Sequence, residues 1–125
     1  MRSAYRTRLE VQDRDEHPLR EFVIRPELVP SVATSAADEQ RVIDTVMQVA
    51  CGKAETMAGR ALHRLRTGKS GGSPDRLRST DGALAWRCNV QTNSASARRL
   101  HYWACPDGTL EFVCVNVHDD FSIPE

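Results

Sequence analysis

A chain of 125 residues, 40 % hydrophobic and 27 % charged, is long enough to bury roughly two thirds of its unfolded surface around one core, and it needs neither disulfides nor metal to fold. Its 17 Lys and Arg balance its 17 Asp and Glu, which argues against bulk binding to nucleic acid, and no apolar run approaches the roughly 18 residues of a membrane span. The basic stretch from Met1 to Arg8 lacks a following apolar segment, so no secretory signal and a cytoplasmic location are expected.

In chain order, Tyr5, Thr7, Leu9 and Val11 alternate with Arg6, Arg8 and Glu10, the period of a half-buried strand. After a polar stretch ending at Pro18, a short strand over Glu21 to Arg25 is predicted, stopped by Pro26, and the two strands could pair as a hairpin. Ser35, followed by Asp38 and Glu39, reads as a helix N-cap. The stripe Val42, Ile43, Val46, Met47, Val49 and Ala50 then predicts a helix over 36 to 50, and Met57, Ala58, Ala61, Leu62 and Leu65 predict a second over 54 to 66, folded back as a hairpin. The Gly/Ser-rich stretch from Thr67 to Pro74 is a loop. Its Gly68-Lys69-Ser70 is not a phosphate-binding P-loop, because residue 63 is His where that motif needs Gly and the stretch follows a helix instead of a strand.

Three strands follow, over 83 to 90, 98 to 105 and 109 to 117. Cys105-Pro106-Asp107-Gly108-Thr109 is a hairpin turn, and the last strand, nearly apolar on both sides, is expected inside the sheet. The fold class is therefore α+β, a helical hairpin on an antiparallel sheet with an extra N-terminal strand. None of the four cysteines forms a C-x-x-C pair, so buried free thiols are expected in preference to a disulfide or a metal site.

The zero net charge hides an asymmetry. Residues 53 to 103 carry ten Lys/Arg against three acids, residues 104 to 125 carry five acids and no Lys or Arg, and residues 1 to 52 are slightly acidic. The basic block is either a phosphate-facing patch or an ordinary surface whose charges pair when the chain folds back. Pairing the strands about residue 94 sets Arg87 against His101 and Asn89 against Arg99, with Trp103, Val113 and Val115 beside them. Leu84, Trp86, Cys88, Val90, Leu100, Tyr102, Phe112 and Cys114 then share the helix-covered face. Guanidinium forks, an imidazole near its pKa and an exposed indole suit a phosphodiester and a base. Alternating Arg, Asn and His equally suit a plain solvated face.

The order of these elements, with Leu65-Arg66-Thr67-Gly68, Trp86-Arg87-Cys88-Asn89-Val90, Arg98-Arg99-Leu100-His101-Tyr102 and Val113 to His118, resembles the RelE/ParE superfamily of small bacterial toxins: a first strand, a helical hairpin, then a three- or four-stranded antiparallel sheet. The resemblance covers a core of residues 21 to 121 within a single domain, after an extension of residues 1 to 20. It implies a type II toxin, a metal-independent mRNA interferase without cofactor, partnered by a cognate antitoxin and the ribosome with its mRNA. Arg87 matches a basic residue of the active face, Arg99 the arginine at the scissile phosphate, and His118 a catalytic histidine of some members. His101 is added as an acid/base candidate from its place on the sheet, and Asn89, Trp103, Arg66 and Lys69 as substrate-binding residues. Asn89 stands where a second basic residue is common, Asp119 and Asp120 replace a basic corner, and no Tyr follows His118. These departures leave open a gyrase-directed toxin or a non-catalytic protein-binding module, such as a phage- or plasmid-encoded inhibitor.

Overall fold

A computed structural model describes residues 19–68, 72–91, 97–117 and 120–125. The predicted strand at 5 to 11, and Lys69 and His118, lie outside them. The architecture is α+β: strand β1 (Phe22–Ile24), helices α1 (Leu28–Ser35) and α2 (Glu39–Ala50), then strands β2 (His63–Arg64), β3 (Leu84–Asn89), β4 (Arg98–Ala104) and β5 (Leu110–Val117). They form one five-stranded sheet in the order β1-β5-β4-β3-β2. It is mixed instead of purely antiparallel, because β1 runs parallel to β5 with Phe22 opposite Leu110. No helix among the described residues is long and apolar enough to cross a membrane.

The helices differ from the predicted hairpin. Pro26 ends β1, yet Pro30 falls in the first turn of α1, where its missing N–H would have had no partner. Ser35 is the last residue of α1, not a cap. Asp38 caps α2 instead, its carboxylate accepting from the N–H of Arg41 at 3.1 Å. The stretch 54 to 66 is no α-helix: Gly52 turns left-handed (φ 81°), two short 3-10 turns follow at Lys53–Thr56 and Ala58–Arg60, and Ala61 is left-handed again. Leu62 packs against the helix-side core, whereas Leu65 is wholly buried on the opposite side of the sheet. One amphipathic helix has a single apolar stripe and could not serve both.

The sheet is buried on both faces. On one, α1 and α2 bring Leu28, Val42, Val46, Met47 and Val49 onto Cys88, Leu100, Tyr102, Leu110, Phe112 and Val115. Phe112 meets Phe22 edge-on at 5.7 Å and Tyr102 at 5.4 Å. On the other, Leu65, Ala83, Ala85, Trp103, Val113, Cys114 and Ile123 form a second apolar cluster with Phe121 beside it. The β3–β4 register is the expected one, Arg87 opposite His101 and Asn89 opposite Arg99. Between β4 and β5 a bulge leaves Val113 without an opposite residue: Tyr102 pairs with Phe112 but His101 with Cys114. The extra residue reverses the alternation beyond it. Cys114, expected on the helix face, therefore joins the second cluster, and Val115, expected beside Arg87 and His101, returns to the helix face.

That second cluster is closed by the segment 121 to 125 and tied by charge. The guanidinium of Arg78, 7 % exposed, binds both oxygens of Asp81 at 3.0 and 2.8 Å and both oxygens of Glu111 at 2.9 and 2.8 Å, and lies 5.3 Å from the Trp103 ring centre. Arg25 bonds the same Glu111 carboxylate at 3.2 Å and the main-chain oxygen of Glu125 at 3.1 Å. The four cysteines are free, and burial pushes the Cys88 and Cys114 thiols up to about 12.

Replacing Arg78 by Met should therefore lower unfolding free energy in urea by about 3–5 kcal/mol, because the largely buried Glu111 carboxylate loses its main hydrogen-bonded partner. The hydrogen bonds from Arg78 hold the Glu111 carboxyl down at about 2, below its ordinary 4.5. The unfolded chain takes up that proton first, so this contribution is complete above pH 4.5 and drains away between pH 4.5 and 2. Urea midpoints measured across that range should fall steeply for the native chain and less steeply for Glu111→Gln.

Candidate functional site

Three cross-strand rows span β3, β4 and β5 on the face away from the helices: Ala85–Trp103–Glu111, Arg87–His101–Cys114 and Asn89–Arg99–Asn116. Beside the second row, β2 adds His63 opposite Arg87. The first row belongs to the dry cluster, and Trp103 is the indole that sequence reasoning expects to find exposed for stacking. It is completely buried, its Nε1 donating to the Pro124 oxygen at 2.9 Å, so it forms no stacking platform.

His101 is likewise fully buried. Its Nδ1 lies 2.9 Å from the Ser122 oxygen, which also accepts from Asn116 Nδ2 at 2.9 Å. A carbonyl only accepts, and the Asn116 amide 3.2 Å from Nδ1 has its own shorter bond to the Ser122 oxygen, so the network assigns the proton to Nδ1 and a lone pair to Nε2. Burial, aided by the charges of Arg87 and Arg76, pushes the His101 pKa down to about 4. At neutral pH it is an acceptor with no proton to give from Nε2, which corrects its reading as a ready general acid.

Asn89, expected to bind substrate, donates to the Gly59 oxygen at 3.0 Å and ties a 3-10 turn to β3. Arg66 pairs across a bridge with Asp75 and lies among the charges that depress His63. Arg87 and Arg99 do share the face. Arg87 donates through Nε to Nε2 of His63 at 3.1 Å, and its guanidinium lies 5.2 Å from the Phe121 ring centre. Burial lowers the pKa of both arginines, and Arg99 adds to the depression at Arg87.

Much of the basic block is consumed by structure. Arg60 bonds Gln48 and the carbonyls of Asn89 and Val90, Arg64 pairs with Asp75 at 2.8 Å, Arg78 holds Asp81 and Glu111, and Arg98 donates to the Ser35 oxygen. Arg76 Nε, Arg87 Nη1 and Arg99 Nη1, together with His101 Nε2, are buried atoms with no hydrogen-bond partner. No ion pair joins these three arginines to a carboxylate among the described residues. Guanidinium groups stay charged in proteins, so this is uncompensated positive charge at the sheet surface.

Sequence reasoning missed Arg76 and His63. The alternation of His63 and Leu65, one polar and one apolar on the same side, was the available signal, masked by a helix-like spacing of Ala58, Ala61, Leu62 and Leu65. Among the described residues no group of three or more His, Cys, Asp or Glu could hold a metal ion. Comparison with family models, curated proteins and solved structures gives no significant match.

A buried neutral His101 opposes folding once it must be protonated. Its folded pKa of about 4 lies below the ordinary 6.5, so the unfolded chain binds the proton first and the contribution, about 3 kcal/mol, is full above pH 6.5 and lost as pH falls toward 4. Histidine resonances followed by NMR should show one imidazole titrating near pH 4, absent in His101→Gln.

Proposed function

We propose that this chain is a toxin-like protein of the RelE/ParE build that acts on RNA through Arg87 and Arg99. What carries the reading is the set of unpartnered guanidinium atoms on Arg76, Arg87 and Arg99, a concentration of positive charge that no carboxylate among the described residues pairs. The succession of one strand, two helices and four antiparallel-paired strands supports it. In the reaction such a site would serve, the ribose 2′-hydroxyl attacks the neighbouring phosphorus, the bond to the 5′-oxygen breaks, and the products are a 2′,3′-cyclic phosphate and a 5′-hydroxyl. The two arginines stabilise the extra negative charge on the phosphorus-bound oxygens as it develops. His63, exposed and bonded to Arg87, is the imidazole of this face in contact with solvent. The proposed compartment is the cytoplasm and the proposed partner a short antitoxin.

One observation favours a second reading, a non-catalytic module that grips a protein partner. His101 and Trp103, which would be the proton carrier and the base platform, have Nδ1 and Nε1 tied to the main-chain oxygens of Ser122 and Pro124.

Expression of the chain in bacteria decides between them. Growth arrest with RNA cleavage is expected, and Arg99→Ala should reduce cleavage roughly 100- to 1000-fold while a cooperative urea transition shows the variant still folded. A folded wild-type chain that neither slows growth nor cuts RNA would establish the binding-module reading.

A further inference from the structure

We propose that the polar end of this sheet face is a site for one protonated phosphate group, with Arg76, Arg87 and Arg99 donating to its oxygens and Nε2 of His101 accepting from its P–OH. The proposal rests on the RNA-directed reading of the same face and specifies the ligand, hydrogen phosphate or a terminal phosphomonoester.

Two independent observations converge. Folded proteins leave few buried polar atoms without partners, and each one calls for a water, an ion or a ligand; here one face and its flanking Arg76 hold four. Three belong to cations with no carboxylate paired to them among the described residues, so a water would satisfy the N–H groups without answering the charge, whereas an oxyanion does both. The fourth has the opposite character. Nδ1 of His101 donates to the Ser122 carbonyl, which leaves Nε2 as an acceptor on the far edge of a wholly buried ring. The charged groups that reach this ring are Arg87, Arg76 and Asp120, and the Asp120 carboxylate is already held by the N–H and hydroxyl of Ser122 at 2.9 and 2.6 Å.

A ligand for this set must present several anionic oxygens and one hydrogen-bond donor. Sulfate presents only acceptors at neutral pH and would set a lone pair against the Nε2 lone pair. Hydrogen phosphate and a singly protonated phosphomonoester carry the needed O–H. The arginine forks supply charge and His101 supplies the discrimination.

Isothermal titration of the full chain with inorganic phosphate and with sulfate, at matched ionic strength and pH 7, tests this. Phosphate is expected to bind at least about tenfold more tightly than sulfate, since a buried acceptor facing a ligand without a donor is left unpaired. Arg99→Met should weaken phosphate by about tenfold or more. His101→Phe, where circular dichroism shows it folded, should bind both anions with the preference erased. Equal affinity for the two anions, no binding of phosphate, or an Arg99→Met variant that binds like wild type would overturn the proposal. An oligoribonucleotide ending in a 3′-phosphate that outcompetes its 3′-hydroxyl counterpart assigns the site to chain termini, and competition by neither assigns it to free phosphate. RNA cleavage measured in parallel keeps the two readings apart. Cleavage without phosphate preference removes this ligand alone, and phosphate preference without cleavage or growth arrest removes the RNA-cleaving reading alone.

Discussion

The guanidinium of Arg78 is the contact on which the rest of the sheet's second face depends. It joins the turn at Asp81, the strand residue Glu111 and, through a 3.3 Å bond, the Glu125 oxygen. Arg25, just beyond β1, reaches the same carboxylate and the same oxygen. A charge this far from water is not stabilising by default, since desolvation offsets most of the Coulomb attraction. What it supplies is placement: donors matched to two carboxylates and the Glu125 main-chain oxygen leave one arrangement in which all are satisfied. That arrangement carries Pro124 over Trp103 and Ile123 into the cluster with Val113 and Cys114.

Because the closing segment docks there, the sheet divides along its strands into a dry end and a polar end. At the dry end, acid and base are matched within hydrogen-bond distance. Of the described acids in the C-terminal part of the chain, Glu111 is spent on Arg78 and Arg25, Asp107 on the N–H of Thr109, Asp120 on Ser122 and the Glu125 carboxylate on Ser79. At the polar end, Arg87 and Arg99 repel one another with no such partner among the described residues. Charge separation visible along the sequence thus survives folding in part, in the three arginines whose buried nitrogens remain without partners.

The legible part of the fold was the part with strict alternation. The short connection between Val90 and Arg98, and the apolar set Cys88, Leu100 and Tyr102 against the polar set Arg87, Arg99 and His101, admit one register, since a slip by one residue would expose the core. In β5 that argument fails, because Phe112 to Val115 are apolar on both sides and the pattern does not resist an extra residue; the bulge at Val113 left no trace in composition. α1 was hidden by prolines on either side of its start, and Asp38 was outranked by Ser35 because both residue types cap helices equally well. The site residues Arg87, Arg99 and His101 were legible as neighbours. The covering of Arg87 by Phe121 and of His101 by Ser122 was not, since both come from an acidic stretch that carries no regular period.

This difference changes the chemistry that the face can perform. An exposed imidazole beside two guanidinium groups would hold its proton below about pH 6.5 and release it above, a proton carrier near neutrality. Buried beneath Ser122, the same ring is fixed in one tautomer by a carbonyl and kept neutral by desolvation and by the cations around it. Proton transfer at neutral pH therefore falls to groups nearer solvent, while His101 is left with recognition. An acceptor fixed among donors selects for a ligand that brings its own hydrogen, and that selectivity follows from the closing segment as directly as the dry core does. The residues that complete the second core are thus the ones that set the character of the polar end.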